Sequence, residues 1–198
     1  MVRIIGITGG IASGKSTVTE FLRQQGYQVI DADQVVHELQ EPGELLYQAL
    51  LSTFGSSILQ EDGRLDRPKL GAMIFGNPEL LEQSSQIQNQ IIREELADRR
   101  DLLAETEDIF FMDLPLLFEL GYESWFDQVW LVDVTEEIQL TRLMTRNALS
   151  QEEAEKRIAA QLSLREKRKR ADVLIDNNGT VEETRQQIRD ALQKLERR

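Results

Sequence analysis

Gly9-Gly10-Ile11-Ala12-Ser13-Gly14-Lys15-Ser16-Thr17 fits the phosphate-binding pattern G-x-x-x-x-G-K-[ST]. The apolar run Ile4-Ile5-Gly6-Ile7 before it predicts a buried strand, and the residues from Thr17 to Arg23 predict a helix. A strand, a glycine-rich loop and a helix in this order form the context in which the pattern binds phosphate. We therefore predict a loop that binds a nucleoside triphosphate.

The loop is predicted to hold phosphates with backbone and side-chain groups together. Glycines let the backbone turn tightly, so that successive N–H groups point into one concavity, and the helix start adds unpaired donors. Lys15 supplies a cation for the outer phosphates, and the Ser16 hydroxyl can ligate Mg²⁺. The predicted nucleotide-binding residues of the loop are Gly10, Ile11, Ala12, Ser13, Gly14, Lys15, Ser16 and Thr17.

Composition and charge exclude several classes of protein. The 198 residues suffice for one domain, predicted to span residues 1–198, and the lack of cysteine excludes disulfides and thiolate metal sites. A single histidine, His37, excludes zinc clusters and histidine-based triads. The net charge of −12 argues against a general nucleic-acid binder. Because the chain has neither a signal-peptide pattern nor an apolar run of membrane length, we expect a cytoplasmic protein.

Strand and helix patterns alternate along the chain, which predicts the α/β class. Apolar runs, each ending in an aspartate, predict further strands at residues 27–31, 109–113, 128–133 and 172–176. Such alternation implies a parallel sheet covered by helices on both sides. The nucleotide-binding core is predicted to comprise residues 1–40, 105–140 and 171–198.

Two segments are predicted to lie outside this core. Residues 41–104 carry apolar residues at helical spacing, which indicates a helical insertion. In a kinase, such an insertion would bind the acceptor. Residues 141–170 are rich in basic side chains and are predicted to form a lid. Within the lid, a capping box at Ser150 predicts a helix that runs through Leu162. The basic cluster at residues 165–170 is either a second phosphate clamp or a solvated helix face.

Acidic residues follow the predicted strands at the sheet edge where parallel sheets bind ligands. Asp113 occupies the place of the metal-binding acid of phosphate-loop proteins. Ser16 is predicted to ligate Mg²⁺, with Asp113 or Asp33 holding the waters of the ion. Aspartate is also common where strands turn into loops, which is the simpler interpretation of Asp133. His37 lies one helical turn beyond Asp33, where it either contacts an acceptor or occupies a helix surface.

Small-molecule kinases, GTPases and ATPase motors all use such a loop. No guanine-reading Asn/Thr-Lys-x-Asp motif is present, and the D-x-x-G match at Asp176–Gly179 follows the last strand, so we interpret it as a loop. Motors need larger modules than this length provides. A small kinase needs an acid near the acceptor hydroxyl, a substrate-holding insertion and a basic lid, and each has a candidate here. A slowly hydrolysing nucleotide-binding regulator is the alternative from another class.

Blocks of sequence along nearly the whole chain resemble the dephospho-coenzyme A kinase family. They are Thr8–Ser16, Asp31–Asp33, Leu65–Arg67 with Ile74–Pro78, Leu114–Glu119 and Ile175–Gly179. The resemblance implies a P-loop three-layer sandwich with a five-stranded parallel sheet, a helical substrate-binding insertion and a lid. It also implies transfer of the γ-phosphoryl group of ATP to the ribose 3′-hydroxyl of dephospho-coenzyme A. The alternative kinase acts on a nucleoside monophosphate or a small alcohol.

The resemblance also implies roles for residues outside the loop. Asp33 would orient the 3′-hydroxyl and accept its proton, and Arg142 would reach the γ-phosphoryl group, so that Lys15, Asp33 and Arg142 are the predicted catalytic residues. Asn177 would contact ATP. Apart from the resemblance, the positive charge of Arg67 predicts that it holds the pyrophosphate of the acceptor, and His37 is the other candidate for an acceptor contact. ATP and Mg²⁺ are the predicted cofactors. We expect a monomer or weak homo-oligomer that binds small molecules, and neither nucleic acid nor membrane.

Overall fold

The computed structural model describes residues 2–196 and contains one five-stranded sheet with helices around it. The strands are β1 (Arg3–Gly9), β2 (Val29–Asp31), β3 (Ile109–Asp113), β4 (Gln128–Asp133) and β5 (Val173–Asp176). The helices are α1 (Lys15–Gln24), α2 (Ala32–Leu39), α3 (Leu45–Phe54), α4 (Arg67–Ile74), α5 (Pro78–Ala104), α6 (Glu136–Asn147), α7 (Gln151–Ala159), α8 (Leu164–Arg170) and α9 (Val181–Glu196). The sheet order is β2-β3-β1-β4-β5, and β1 runs parallel to β3 and β4. The predicted α/β class with a five-stranded parallel sheet is confirmed.

The chain divides into two compact units. The first contains the residues up to Ile30 and those from Ala104 onward, and the second covers Asp31–Leu103. The second unit is helical, with α2, α3, α4 and most of α5. The assignment of 1–40, 105–140 and 171–198 to a nucleotide-binding core, 41–104 to the acceptor and 141–170 to a lid stays a prediction.

Alternating side chains of β1 and β4 place helices on both faces of the sheet in the first unit. Ile5 and Ile7 of β1 are fully buried in a cluster with residues of α1 and α9. Gly6 faces the other way, where an added Cβ would stand only 2.7 Å from a methyl group of Leu117. On β4, Leu131 packs with Leu164 of α8. The sheet is therefore the middle layer of a three-layer sandwich, with β1 near its centre.

Helix ends follow local capping chemistry, with one error in the prediction. Ser150 forms the predicted capping box with Glu153, but α7 ends at Ala159 and does not run through Leu162. The Leu162 N–H donates to Glu119 Oε1 at 2.9 Å, so it is not available to continue the helix. Ser163 then accepts the Glu166 N–H and begins α8. The predicted helix thus ends early, where a long-range carboxylate binds the Leu162 N–H, and a separate N-cap begins the next helix.

In the helical unit, two aspartates cap helices that carry predicted site residues. Asp31 accepts the N–H groups of Asp33 and Gln34 at the start of α2, and Asp66 accepts the Lys69 N–H at the start of α4. Side chains from several helices form its buried core, namely Leu46, Leu50, Ile58, Leu70 and Leu96. Among residues 2–196, no helix combines the length and apolar character that crossing a bilayer requires.

Candidate active site

The predicted phosphate loop joins the end of β1 to the start of α1. Gly14 precedes α1 with a φ of +85°, a conformation that side-chain-bearing residues rarely adopt. A Cβ at this position would also collide with the Asn177 amide, and one at Gly10 would collide with the Gln139 amide. Gly14 is therefore favoured by both its backbone conformation and close packing, and Gly10 by close packing. The Thr17 N–H donates to the Gly14 carbonyl at 3.1 Å, and the N–H groups that open a helix are in general free to bind an anion.

Hydrogen bonds from distant side chains hold the loop in place. The Ile11 N–H donates to Gln161 Oε1 at 2.9 Å, and the Ile11 carbonyl accepts from Gln139 Nε2 at 2.9 Å. Asn177 Nδ2 donates to the Ser13 carbonyl at 2.8 Å, while Asn177 Oδ1 accepts from the Thr184 hydroxyl. The loop is thus preorganised by α6, α9 and the turns after β5 and α7.

Sequence reasoning missed Gln139, Gln161 and Thr184. The signal for Gln139 was available, because it lies four positions before the buried Leu143 on the same face of α6 and is itself 3% exposed. Gln161 lies in the turn that was predicted as helix, so its contact with the loop had no local signature.

Lys15 and Asp113, two predicted site residues, lie beside each other. Lys15 Nζ is 3.7 Å from Asp113 Oδ1, and the Asp113 residue is only 7% exposed. The pairing of β1 with β3 sets this arrangement, because Ile7 is in register with Asp113 and the loop begins directly after β1. A distance of 3.7 Å is longer than a hydrogen bond, so the ammonium group remains able to reach phosphate oxygens.

A cavity of about 510 Å³ opens beside the loop in the first unit. Its lining combines loop residues with α6 and the segment after β5, namely Ala12, Gly14, Ser16, Thr17, Thr141, Arg142, Thr145, Arg146, Asn177, Gly179 and Val181. Arg142 Nη2 donates to the Asn177 carbonyl at 3.0 Å. The structure therefore brings the predicted residues Arg142, Asn177 and Ser16 to one cavity of a size that suits a small ligand.

Asn177 is buried, and its backbone and side chain are both engaged. Its N–H donates to the Asp133 carbonyl at 2.8 Å, in addition to the side-chain bonds with Ser13 and Thr184. These contacts make it a support of the loop. Its direct contact with ATP stays a prediction.

In the second unit, the structure brings His37 and Arg67 together. Arg67 Nη2 lies 2.6 Å from His37 Nδ1, and Arg67 Nε donates to Gln40 Oε1 at 2.8 Å. Because arginine is always protonated, His37 Nδ1 is the acceptor. Both residues line a cavity of about 310 Å³ together with Gln40, Glu41, Pro42, Gln60, Asp62, Arg64, Leu65 and Pro68.

Asp33 lies exposed in the first turn of α2, and its carboxylate is not the helix cap, because Asp31 fills that role. Helix α2 is held to α5 by an ion pair between Glu38 and Arg99, with 2.7 Å from Oε2 to Nη1. The hydrogen bond from Arg99 lowers the pKa of the Glu38 carboxyl, so this pair stays ionised at neutral pH. The element that carries Asp33 and His37 is thus fixed within its own unit.

Four members of the basic cluster of residues 165–170 form ion pairs within the protein, namely Lys167, Arg168, Lys169 and Arg170. Arg168 donates to Asp133 Oδ2 at 2.7 Å and to the Val134 carbonyl, and its hydrogen bond with Asp133 raises the pKa of the guanidinium. Lys169 pairs with Glu166. Lys167 is fully buried. Asp133 therefore has the structural role that its place at a strand end suggested.

Within the described part of the chain, no group of three or more His, Cys, Asp or Glu side chains is arranged to hold a metal ion. A Mg²⁺ ion bound through one carboxylate, a hydroxyl and substrate phosphates does not need such a group.

Comparisons of sequence agree with this geometry. A family model described as dephospho-CoA kinase matches residues 3–183. A curated dephospho-CoA kinase of Streptococcus mutans serotype c is 59% identical over 196 residues, which is 99% of both chains.

Comparisons of structure point to the same group. A dephospho-CoA kinase from Campylobacter jejuni is 30% identical with a TM-score of 0.76, over 98% of both chains. A shikimate kinase from Bacteroides thetaiotaomicron has a TM-score of 0.57 at 15% identity, over 98% of both chains. This second likeness shows the fold alone, and it confirms the predicted phosphate-loop fold.

Proposed function

The chain belongs to the dephospho-CoA kinase family, as its sequence blocks indicated, and we propose how its residues carry out the reaction. The reaction transfers the γ-phosphoryl group of ATP to the ribose 3′-hydroxyl of dephospho-coenzyme A, the final step of coenzyme A biosynthesis. One observation carries the proposal: Arg142 shares the cavity with the phosphate loop, and its Nη1 lies 3.7 Å from the place that a Cβ at Gly14 would take.

ATP binds with its phosphates on the loop, and its ribose and adenine occupy the cavity of the first unit. The N–H groups at the start of α1 and the Lys15 ammonium offset the charge of the phosphates. The Arg142 guanidinium stabilises the charge that develops on the transferred group, because its planar fork matches phosphate oxygens. Its bond to the Asn177 carbonyl orients that fork before ATP arrives.

Dephospho-coenzyme A binds through residues of the second unit. Asp33 accepts the hydrogen bond of the 3′-hydroxyl, and its exposure leaves the carboxylate accessible. In a largely dissociative transfer, this carboxylate acts more by orienting the hydroxyl than by removing its proton early. Arg67 and His37 contact the acceptor from their shared cavity, where the guanidinium suits the diphosphate of dephospho-coenzyme A.

The donor set around the loop fits Mg²⁺. Ser16 lines the cavity, and Asp113 presents a mostly buried carboxylate beside Lys15, which are oxygen ligands of the kind that Mg²⁺ prefers. We propose that Ser16 and Asp113 hold the ion, directly or through its waters. When bound, Mg²⁺ supplies charge neutralisation to the outer phosphates.

The test of the function is acceptor-dependent release of ADP by the purified protein with ATP. We expect rapid ADP formation with dephospho-coenzyme A, and a product that carries one added phosphate at the 3′ position. ADP formed faster with AMP or shikimate would indicate a different small kinase. ADP release that no acceptor stimulates would indicate a nucleotide-binding regulator.

We expect Asp33→Asn to lower kcat at least ~100-fold, with ATP affinity nearly unchanged, because the amide cannot accept the hydroxyl proton. Asp31→Asn is the matched control. It makes the same chemical change two positions earlier, and asparagine caps helices as well as aspartate does. Wild-type turnover in Asp33→Asn would remove this carboxylate from the mechanism. Initial rates and ATP titrations of both variants give the comparison.

A cytoplasmic location and a monomeric or weakly homo-oligomeric state belong to the same proposal. Light scattering of the purified protein across a range of concentrations measures the oligomeric state.

A further inference from the structure

Lys167 is a fully buried lysine that the reaction described above does not use. Its side chain is 0% exposed, and Nζ lies 2.9 Å from Glu119 Oε1. The same ammonium donates to the Gly9 carbonyl at 3.3 Å and to the Pro115 carbonyl at 3.4 Å. Burying an ammonium group is costly unless all its protons find acceptors, and here three acceptors surround it.

The three acceptors belong to two segments that border the site. Gly9 opens the phosphate loop, while Pro115 and Glu119 lie in the turn after β3, the strand that ends in Asp113. Lys167 itself lies on α8, so one ammonium joins α8, the start of the loop and the turn after β3.

Glu119 extends this connection to the turn between α7 and α8. Its Oε1 also accepts the Leu162 N–H at 2.9 Å. The neighbouring residue, Gln161, accepts the Ile11 N–H of the phosphate loop. The loop is therefore held at Gly9 by Lys167 and at Ile11 by Gln161, and Glu119 fixes the relation between these two contacts.

We propose that Lys167, with Glu119, is a positioning residue for the phosphate loop. The ammonium fixes the direction of the Gly9 carbonyl, and thereby the path of the backbone whose N–H groups meet the triphosphate. It makes no contact with substrate in this role. The inference rests on the proposed function, because it assigns the loop to ATP.

A purely structural role gives a different expectation. Replacing both members of a buried ion pair with uncharged residues often leaves stability unchanged or raises it, whereas removing one member leaves a buried charge alone. A double variant therefore separates the two roles. If the pair serves only the fold, restoring stability restores activity as well.

The experiment compares Lys167→Met/Glu119→Gln with the wild type and with Lys169→Met, an exposed lysine of the same helix. Melting temperature, steady-state kinetics and calorimetric binding of ATP are measured. For the double variant we expect a melting temperature close to wild type, a KM and a Kd for ATP raised about tenfold, and an unchanged KM for dephospho-coenzyme A. Lys169→Met should match the wild type throughout.

The single variant Lys167→Arg should bind ATP more tightly than the double variant does, because it keeps Glu119 and a buried cation with several donors. A double variant with wild-type affinity for ATP would overturn the proposal, and so would one that fails to fold, since the pair would then be a requirement of the fold. If the wild type forms no ADP with dephospho-coenzyme A, the proposed function fails instead. Calorimetric ATP binding then still decides the role of Lys167.

Discussion

Replacing Arg142 with alanine is expected to lower kcat by about 10³-fold, because the guanidinium is the group placed to stabilise charge on the transferred phosphoryl. Arg142 reaches the loop from α6 and is oriented by the Asn177 carbonyl at 3.0 Å. The KM for ATP should change much less than kcat, since the interaction strengthens in the transition state. Rates at saturating ATP and dephospho-coenzyme A measure the effect.

The size of this effect separates catalysis from stability. A loss of about 10³-fold corresponds to ~4 kcal/mol of barrier. The hydrogen bond that Arg142 gives to Asn177 contributes about 1 kcal/mol to folding. Loss of that bond therefore leaves the protein folded, which a melting curve checks.

Two further variants bracket the prediction. Arg142→Lys keeps the charge but loses the planar fork, so we expect intermediate turnover. Arg157→Ala removes an exposed arginine of α7 and should leave the rate unchanged. An Arg142→Ala variant with kcat within about threefold of wild type would mean that no arginine fork at this position assists transfer.

The sheet and the phosphate loop could be predicted from the sequence because their signals are local. Each strand is an unbroken apolar run, and the loop motif places its glycines between a strand and a helix within a few residues. The helical character predicted for residues 41–104 follows from apolar spacing in the same way, and α3, α4 and α5 lie within that range.

The supports of the site depend on contacts between distant segments, which no local pattern records. Lys167 lies in a run of charged residues that is typical of a solvated helix face. Its side chain is nevertheless completely buried, where it pairs with Glu119 and donates to the Gly9 carbonyl. Likewise, Leu162 fits the helical pattern of the sequence, but in the structure its N–H donates to the Glu119 carboxylate, which lies in the turn after β3. The pattern of charges predicts which side chains face solvent, but contacts between distant segments decide which polar side chains are buried.

The Lys15→Ala variant is expected to lower kcat/KM for ATP by roughly 10³-fold, with both ATP binding and transfer impaired. The ammonium offsets charge on the outer phosphates in the ground state and in the transition state. Because Lys15 also faces Asp113 at 3.7 Å, the substitution removes the cation beside a mostly buried carboxylate. A modest fall in melting temperature is therefore expected as well.

Nucleotide selectivity distinguishes the loss of a phosphate contact from a general disturbance of the loop. Lys15 serves the outer phosphates, so its removal should weaken ATP and ADP binding strongly and AMP binding little. A distorted loop would weaken all three nucleotides. Calorimetric titrations of ATP, ADP and AMP into the wild type and Lys15→Ala supply this comparison. Lys156→Ala, which breaks an exposed ion pair with Glu152, controls for the loss of a lysine. Full kcat/KM in Lys15→Ala would contradict the assignment of residues 9–17 as the ATP-binding loop.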